Sequence, residues 1–218
     1  MKSPETLEHI LRFGIVPIIR SSDQGKTAAA AEALVNAGLG VLEISLSHSG
    51  GLQILESLAD RFGDTLLLGA GTILDANAAR AAVSAGARFI VSPSSDASVI
   101  DAGKKLSVAV IPGALTPTEI VVAWKSGADA IKVFPANAMG GPSYIRALRA
   151  PLPGIVMLPC GGVNAENAAD YFDAGASALL LGSSLVDMTL PETELAGSVR
   201  EKAALLMSIA AAAGKARP

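Results

Sequence analysis

The stretch Asp129-Ala130-Ile131-Lys132-Val133-Phe134-Pro135-Ala136 reads as a short apolar strand with one cation in its middle. Strands of a parallel sheet covered on both faces are near-continuous apolar runs, so a lysine inside one needs a reason. Desolvation disfavours an ammonium and pushes such an amine toward its neutral, nucleophilic form. In that state a lysine adds to a ketone and forms an imine. A structural reading stands beside the chemical one: Lys132 at a strand end could snorkel to water or pair with a carboxylate. Three further polar residues sit in or just after apolar runs. They are Arg20 after Ile15-Val16-Pro17-Ile18-Ile19, Glu43 within Val41-Leu42-Glu43-Ile44-Ser45-Leu46, and Thr72 after Gly69-Ala70-Gly71.

What positions these groups is a recurring unit: an Ala-rich helical segment, a small residue plus glycine, a short link, then an apolar strand. It appears at Asn36-Ala37-Gly38, Ser84-Ala85-Gly86, Lys125-Ser126-Gly127 and Asp173-Ala174-Gly175, each followed by a strand. Glycine in these places is the left-handed residue that ends a helix. Ile15 to Arg20, Leu66 to Ile73, Val108 to Ala114 and Val156 to Val163 fill the gaps, which makes eight strands in all. Helix starts are legible at Thr116-Pro117-Thr118-Glu119, a capping box with proline at the first helical position, and at Asp75 and Asn164.

Eight strands alternating with helices imply an α/β fold, a closed (β/α)8 TIM barrel. Residues 3–13 add an extra N-terminal helix and 192–213 a closing one. Nothing marks a linker, so residues 1–218 are expected to form a single barrel domain. An open doubly wound sheet would show a glycine-rich fingerprint after the first strand, and Arg20-Ser21-Ser22-Asp23-Gln24-Gly25 is not one.

Alternation places Glu43 and Ser45 inside the barrel and the neighbouring leucines against the helices. It places Lys132 inside with Phe134, Arg20 inside with Ile18 and Val16, and Thr72 inside with Leu68 and Ala70. Arg20, Glu43, Thr72 and Lys132 then converge on one mouth, with the second and sixth strands facing each other. A buried Glu–Lys–Arg network without chemistry is the competing reading, and such networks cost desolvation. The seventh and eighth strands end in Cys160-Gly161-Gly162-Val163 and Leu181-Gly182-Ser183-Ser184. Gly161, Gly162, Gly182 and Ser183 offer backbone N–H groups where this architecture usually cradles phosphate.

Composition narrows the classes. The net charge is −3 and no basic run occurs, which speaks against a nucleic-acid partner. No apolar segment reaches the length of about 18 residues needed to span a bilayer, so no membrane partner is expected. The single cysteine, Cys160, points to a reducing compartment, and the charged, proline-containing N-terminus to a cytoplasmic protein. Two histidines, His9 and His48, cannot build a three-histidine zinc site, and their spacing to Glu43 forms no ligand motif. Trp124 and Tyr144 read as packing residues.

Taken together, Val41-Leu42-Glu43-Ile44, Gly69-Ala70-Gly71-Thr72, Ile111-Pro112-Gly113, Ile131-Lys132-Val133-Phe134-Pro135-Ala136, Cys160-Gly161-Gly162-Val163 and Gly182-Ser183-Ser184 carry a resemblance over about Ile15 to Val186. The chain resembles the 2-keto-3-deoxy-6-phospho-sugar-acid aldolases, class I pyruvate-forming enzymes that include the phosphogluconate and phosphogalactonate branches. The resemblance implies that Lys132 forms the imine and Glu43 moves protons. It further implies that Thr72 holds the pyruvyl carboxylate, Arg20 contacts substrate, and the Gly161-Gly162 and Gly182-Ser183 backbones take the phosphate. It implies a phosphorylated keto acid as substrate, pyruvate and glyceraldehyde 3-phosphate as products, no metal or other cofactor, and a homotrimer. Ser47 stands where the phosphogluconate branch commonly carries arginine, and Gly141 to Leu148 looks like the phosphogalactonate branch; both tilt toward the galactonate epimer. Pro159 and Cys160 match neither branch well. Alternatives are a phosphate-binding barrel isomerase or synthase without an imine, a 4-hydroxy-2-oxoglutarate aldolase, and a non-catalytic scaffold.

Overall fold

The computed structural model of the chain describes residues 3–215. In chain order the elements are α1 (Ser3–Phe13), β1 (Ile15–Ile19), α2 (Gln24–Asn36), β2 (Val41–Ser45), α3 (Gly51–Phe62) and β3 (Leu67–Gly71). Next come α4 (Ala76–Ser84), β4 (Phe89–Val91), α5 (Ala97–Lys105), β5 (Ala109–Ile111), β6 (Gly113–Ala114) and α6 (Pro117–Lys125). The chain continues with β7 (Ile131–Val133), α7 (Pro142–Arg149), β8 (Met157–Pro159), α8 (Ala168–Asp173), β9 (Leu179–Leu181) and α9 (Glu192–Ala212). A helix follows every strand except β5, which runs directly into β6, and every strand pairing is parallel.

The strands form two sheets. The larger, a half-barrel, has the order β5-β4-β3-β2-β1-β9, and the smaller has the order β6-β7-β8. Strand order is thus sequential, with the last strand beside the first, unlike the reversed order of a doubly wound sheet. Between the sheets, the Asp129 N–H just before β7 donates to the Val110 carbonyl of β5 at 2.9 Å, and Cys160 bridges Leu180. The fifth expected strand, Val108 to Ala114, is split into β5 and β6 at Pro112, which has no N–H to give a ladder.

Local chemistry explains the helix boundaries. The four glycines that close the recurring unit, Gly38, Gly86, Gly127 and Gly175, all have φ between 91° and 102°. Only a residue without Cβ adopts that conformation cheaply, and it turns the chain from helix into strand. Thr116 and Glu119 form the reciprocal capping box at α6, and the Asp75 carboxylate accepts from the Asn77 and Ala78 N–H groups at α4. Asn164 caps only a turn: its side chain accepts from Glu166 and Asn167, and α8 begins later, at Ala168.

Strand register decides which side chains share the concave face of the half-barrel. Glu43 pairs with Ile18 and Gly69, and Ser45 pairs with Gly71. A methyl group at Gly69 would lie 2.2 Å from the Phe89 ring, and one at Gly71 would lie 1.8 Å from Glu43 Oε1. The concave face of β3 therefore carries Leu67 and the two glycines, and the glycines leave room for Phe89 and Glu43. Leu68 and Ala70 face the helices with their partners Leu42 and Ile44, so the expectation that Thr72 shares an inward parity with them is wrong.

Apolar packing extends over nearly the whole chain, from Ile10 in α1 to Ala210 in α9. Arg149 staples the end of α7 to this frame by donating to the Ile155 and Gly175 carbonyls, both at 2.7 Å. Gly69→Ala is expected to destabilise the fold by about 1–3 kcal/mol through overpacking against Phe89. Gly154→Ala, where an added methyl meets nothing within 4 Å, is the control and should change stability by less than about 0.5 kcal/mol. Urea midpoints of the two variants check this.

Candidate active site

At the C-terminal ends of the strands lies a cavity of about 480 Å³, lined by Arg20, Thr72, Lys132, Phe134, Cys160 and the glycine-rich segments 161–164 and 182–184. The same cavity is bordered by Pro93 and by the loop residues Asp187, Met188 and Thr189. Of the residues expected at one mouth, Arg20, Thr72, Lys132, Gly161, Gly162, Gly182 and Ser183 all border it. Glu43 does not; it lies within the sheet floor, 1 % exposed.

Lys132 comes from β7 and is 6 % exposed, with its ammonium nitrogen 5.5 Å from the centroid of the Phe134 ring. Its strand neighbours in register, Gly113 and Leu158, contribute no competing polar side chain. Glu43 projects from the middle of β2 onto the same face, and its Oε2 has no hydrogen-bond partner. Burial pushes the Glu43 carboxyl above the ordinary carboxylate range, and the charges of Lys132 and Arg20 oppose that rise. A carboxyl so placed can hold a proton and release it when charge appears nearby, which suits acid–base work. Cys160 is buried, which raises its thiol pKa despite the opposing charge of Lys132, so it behaves as a small hydrophobe rather than a nucleophile.

Thr72 reaches the cavity by a route that simple alternation misses. Its φ is +63°, a left-handed conformation uncommon for a β-branched residue. The turn brings its hydroxyl to within 2.8 Å of Ser45 Oγ, which in turn lies 3.0 Å from Ser47 Oγ. Alternation already placed Ser45 inside with Glu43, but nothing in the sequence marks the hydroxyl chain that joins it to Thr72.

The rim opposite is almost all main chain. Neither the Gly162 nor the Ser183 N–H has a protein hydrogen-bond partner among the described residues. The Ser184 hydroxyl is spent on the Val163 carbonyl at 2.7 Å, which ties the two glycine-rich segments together. Asn137 fills the space that a side chain at Gly162 would need, with its Cβ 2.4 Å from the position of such a methyl. The Asp187-Met188-Thr189 loop is held from behind by Lys26, which donates to the Leu190 carbonyl at 3.1 Å. His9 contacts the Gly40 carbonyl and Phe13, while His48 is exposed and does not border the cavity. The Tyr144 hydroxyl donates to the Leu115 carbonyl, in keeping with a packing role.

The site is thus a parallel α/β frame with a nearly buried lysine lining the cavity and a buried carboxyl within the sheet floor, and the proteins similar to it are lyases of the aldolase type. The model of the KDPG and KHG aldolase family matches residues 7–199, and the chain belongs to this family. A 2-dehydro-3-deoxy-6-phosphogalactonate aldolase of Escherichia coli (strain K12) is 37 % identical over 80 % of this chain and 85 % of its own. A 2-dehydro-3-deoxy-phosphogluconate aldolase of Pseudomonas aeruginosa is 36 % identical over 72 % of this chain and 71 % of its own. Among solved structures, one described as native KDPGal superposes with a TM-score of 0.85 at 33 % identity, covering 92 % of this chain and 95 % of its own.

The raised carboxyl pKa has a sign that can be checked. Below the ordinary carboxylate range Glu43 is protonated in both folded and unfolded chains, and the shift carries no cost. As pH rises, the unfolded chain ionises first, so the folded state loses stability until Glu43 itself ionises. Glu43→Gln is therefore expected to be more stable than the parent near neutral pH and equal to it only below the ordinary carboxylate range, as read from calorimetric midpoints.

Proposed function

We propose that the chain is a Schiff-base aldolase that cleaves a 2-keto-3-deoxy-6-phospho sugar acid to pyruvate and glyceraldehyde 3-phosphate. The observation that carries this reading is a nearly buried lysine facing a cavity, with an unpartnered carboxyl on the same concave face. In its free-amine form Lys132 adds to the C2 ketone, and loss of water from the carbinolamine gives an iminium. Glu43, directly or through a water, takes the proton of the C4 hydroxyl as the C3–C4 bond breaks. The bonding pair moves into the iminium, leaving an enamine, and the aldehyde departs. Glu43 then returns the proton to C3, and water hydrolyses the imine to free pyruvate and the lysine.

Thr72 is assigned to the pyruvyl carboxylate and Arg20, at the rim, to a polar group of the substrate. Gly161, Gly162, Gly182 and Ser183 are assigned to the phosphate; the unpartnered N–H groups of Gly162 and Ser183 support this, since oriented amides favour an anion. For the galactonate epimer the support is Ser47, uncharged where the gluconate branch commonly has arginine. Closure of both sheets into one (β/α)8 barrel spanning the chain is supported by the sequential strand order and by the Cys160–Leu180 bridge. A homotrimer follows the family resemblance and a cytoplasmic setting the single cysteine, and a sizing measurement tests the trimer.

Borohydride reduction in the presence of pyruvate is expected to fix the pyruvyl group on the peptide that contains Lys132. An active enzyme that shows no such adduct would point to an isomerase or synthase instead. Lys132→Ala should lose at least about 10³-fold in kcat, because no other lysine borders the cavity among the described residues. Cleavage rates for the two phosphorylated epimers, with 4-hydroxy-2-oxoglutarate alongside, test the substrate preference; the galactonate epimer is expected to be cleaved fastest.

A further inference from the structure

We infer that Ser45 is a positioning residue that fixes the direction of the Thr72 hydroxyl, so that Thr72 can donate only into the cavity. The inference rests on the assignment of Thr72 to the substrate carboxylate made above, and it adds a group that borders no part of the cavity itself.

Three hydroxyls stand in a row: Ser47 Oγ, exposed; Ser45 Oγ, buried and 3.0 Å away; and Thr72 Oγ1, at the cavity and 2.8 Å further on. Each hydroxyl has one proton to give and two lone pairs to receive with. If Thr72 gives its proton to an anion in the cavity, it can only receive from Ser45. Ser45, having spent its proton on Thr72, can only receive from Ser47. The row then has a single polarity, Ser47 to Ser45 to Thr72 to ligand, and bonds in such a chain strengthen one another.

The backbone supports this division. Thr72 is one of two non-glycine residues with positive φ among the described residues, and for a β-branched residue that conformation is costly. It persists because the alternative direction, set by the alternation of β3, would send the side chain toward the helices with Leu68 and Ala70. The Ser45 hydroxyl is the hydrogen-bond partner found for the turned side chain, and the register of Ser45 with Gly71 sets it beside the residue from which the chain turns.

The test is exchange of deuterium from solvent into the methyl group of pyruvate, followed by NMR on the full-length enzyme at varied pyruvate concentration. This half-reaction needs the imine and the carboxylate contact but no phosphate. Ser45→Ala is expected to raise KM for pyruvate by roughly tenfold, the scale of one hydrogen bond to a charged group, with a smaller change in the maximal exchange rate. Ser45→Thr, which keeps the hydroxyl, should restore KM, and Ser47→Ala should shift it less than Ser45→Ala. Where Ser45→Ala does not fold, Ser45→Cys keeps the volume with a weak donor and should raise KM in the same sense. Unchanged KM in folded Ser45→Ala, or equal rises in Ser45→Ala and Ser45→Thr, would overturn the proposal. Failure of the underlying reading looks different: the parent would neither exchange pyruvate nor trap it with borohydride. Exchange by the parent with no KM change in Thr72→Val would overturn the carboxylate assignment and the positioning role with it.

Discussion

Burial of a carboxyl beside two cations, without a hydrogen bond to one of its oxygens, is the constraint on which the structure turns. Glu43 in β2 gains attraction from Lys132 and Arg20, yet burial outweighs that attraction and its proton is held more tightly than usual. An ion pair closed inside the sheet would quench both groups, and an exposed pair would be screened. The arrangement between these limits leaves charge able to move when a substrate arrives. It also has a stability cost, which the surrounding apolar frame has to absorb.

The frame absorbs it by geometry more than by compensating bonds. Gly69 and Gly71 clear the concave face of β3, so that the Phe89 ring and the Glu43 carboxyl fit where two side chains would otherwise stand. Parallel register then sets Ile18 beside Glu43 and Leu158 beside Lys132, surrounding the polar pair with hydrocarbon. Glycine ends to the preceding helices make these registers reproducible, because each strand starts from the same left-handed turn.

Much of this was legible in the sequence. The cation in an apolar strand, the recurring glycine ends and the Thr116–Glu119 capping box each have a local physical cause, and each appears where its cause places it. What escaped were features set by contacts between strands. The parity of β3 was misassigned because a Gly-Ala-Gly run offers no apolar side to read, and only the opposing Phe89 and Glu43 reveal that both glycines face inward. Thr72 still reached the expected place, by a backbone turn that period-two reasoning does not contain. Pro112 divided one expected strand into two because a missing donor matters only where a neighbour needs it.

The rim built from Gly162, Ser183 and their neighbours has a consequence for how such a site would be discovered by genetics. A ligand read by main-chain N–H groups leaves no side chain to delete, so experiments that truncate side chains would report the lysine half of the cavity and pass over the other half. Sensitivity there would appear only for substitutions that add atoms. At Gly162 an added methyl meets Asn137, and the chain there already sits at φ +79°. Half of this cavity is thus recorded in the sequence as the lack of side chains, a signal visible to steric reasoning and nearly invisible to loss-of-group experiments.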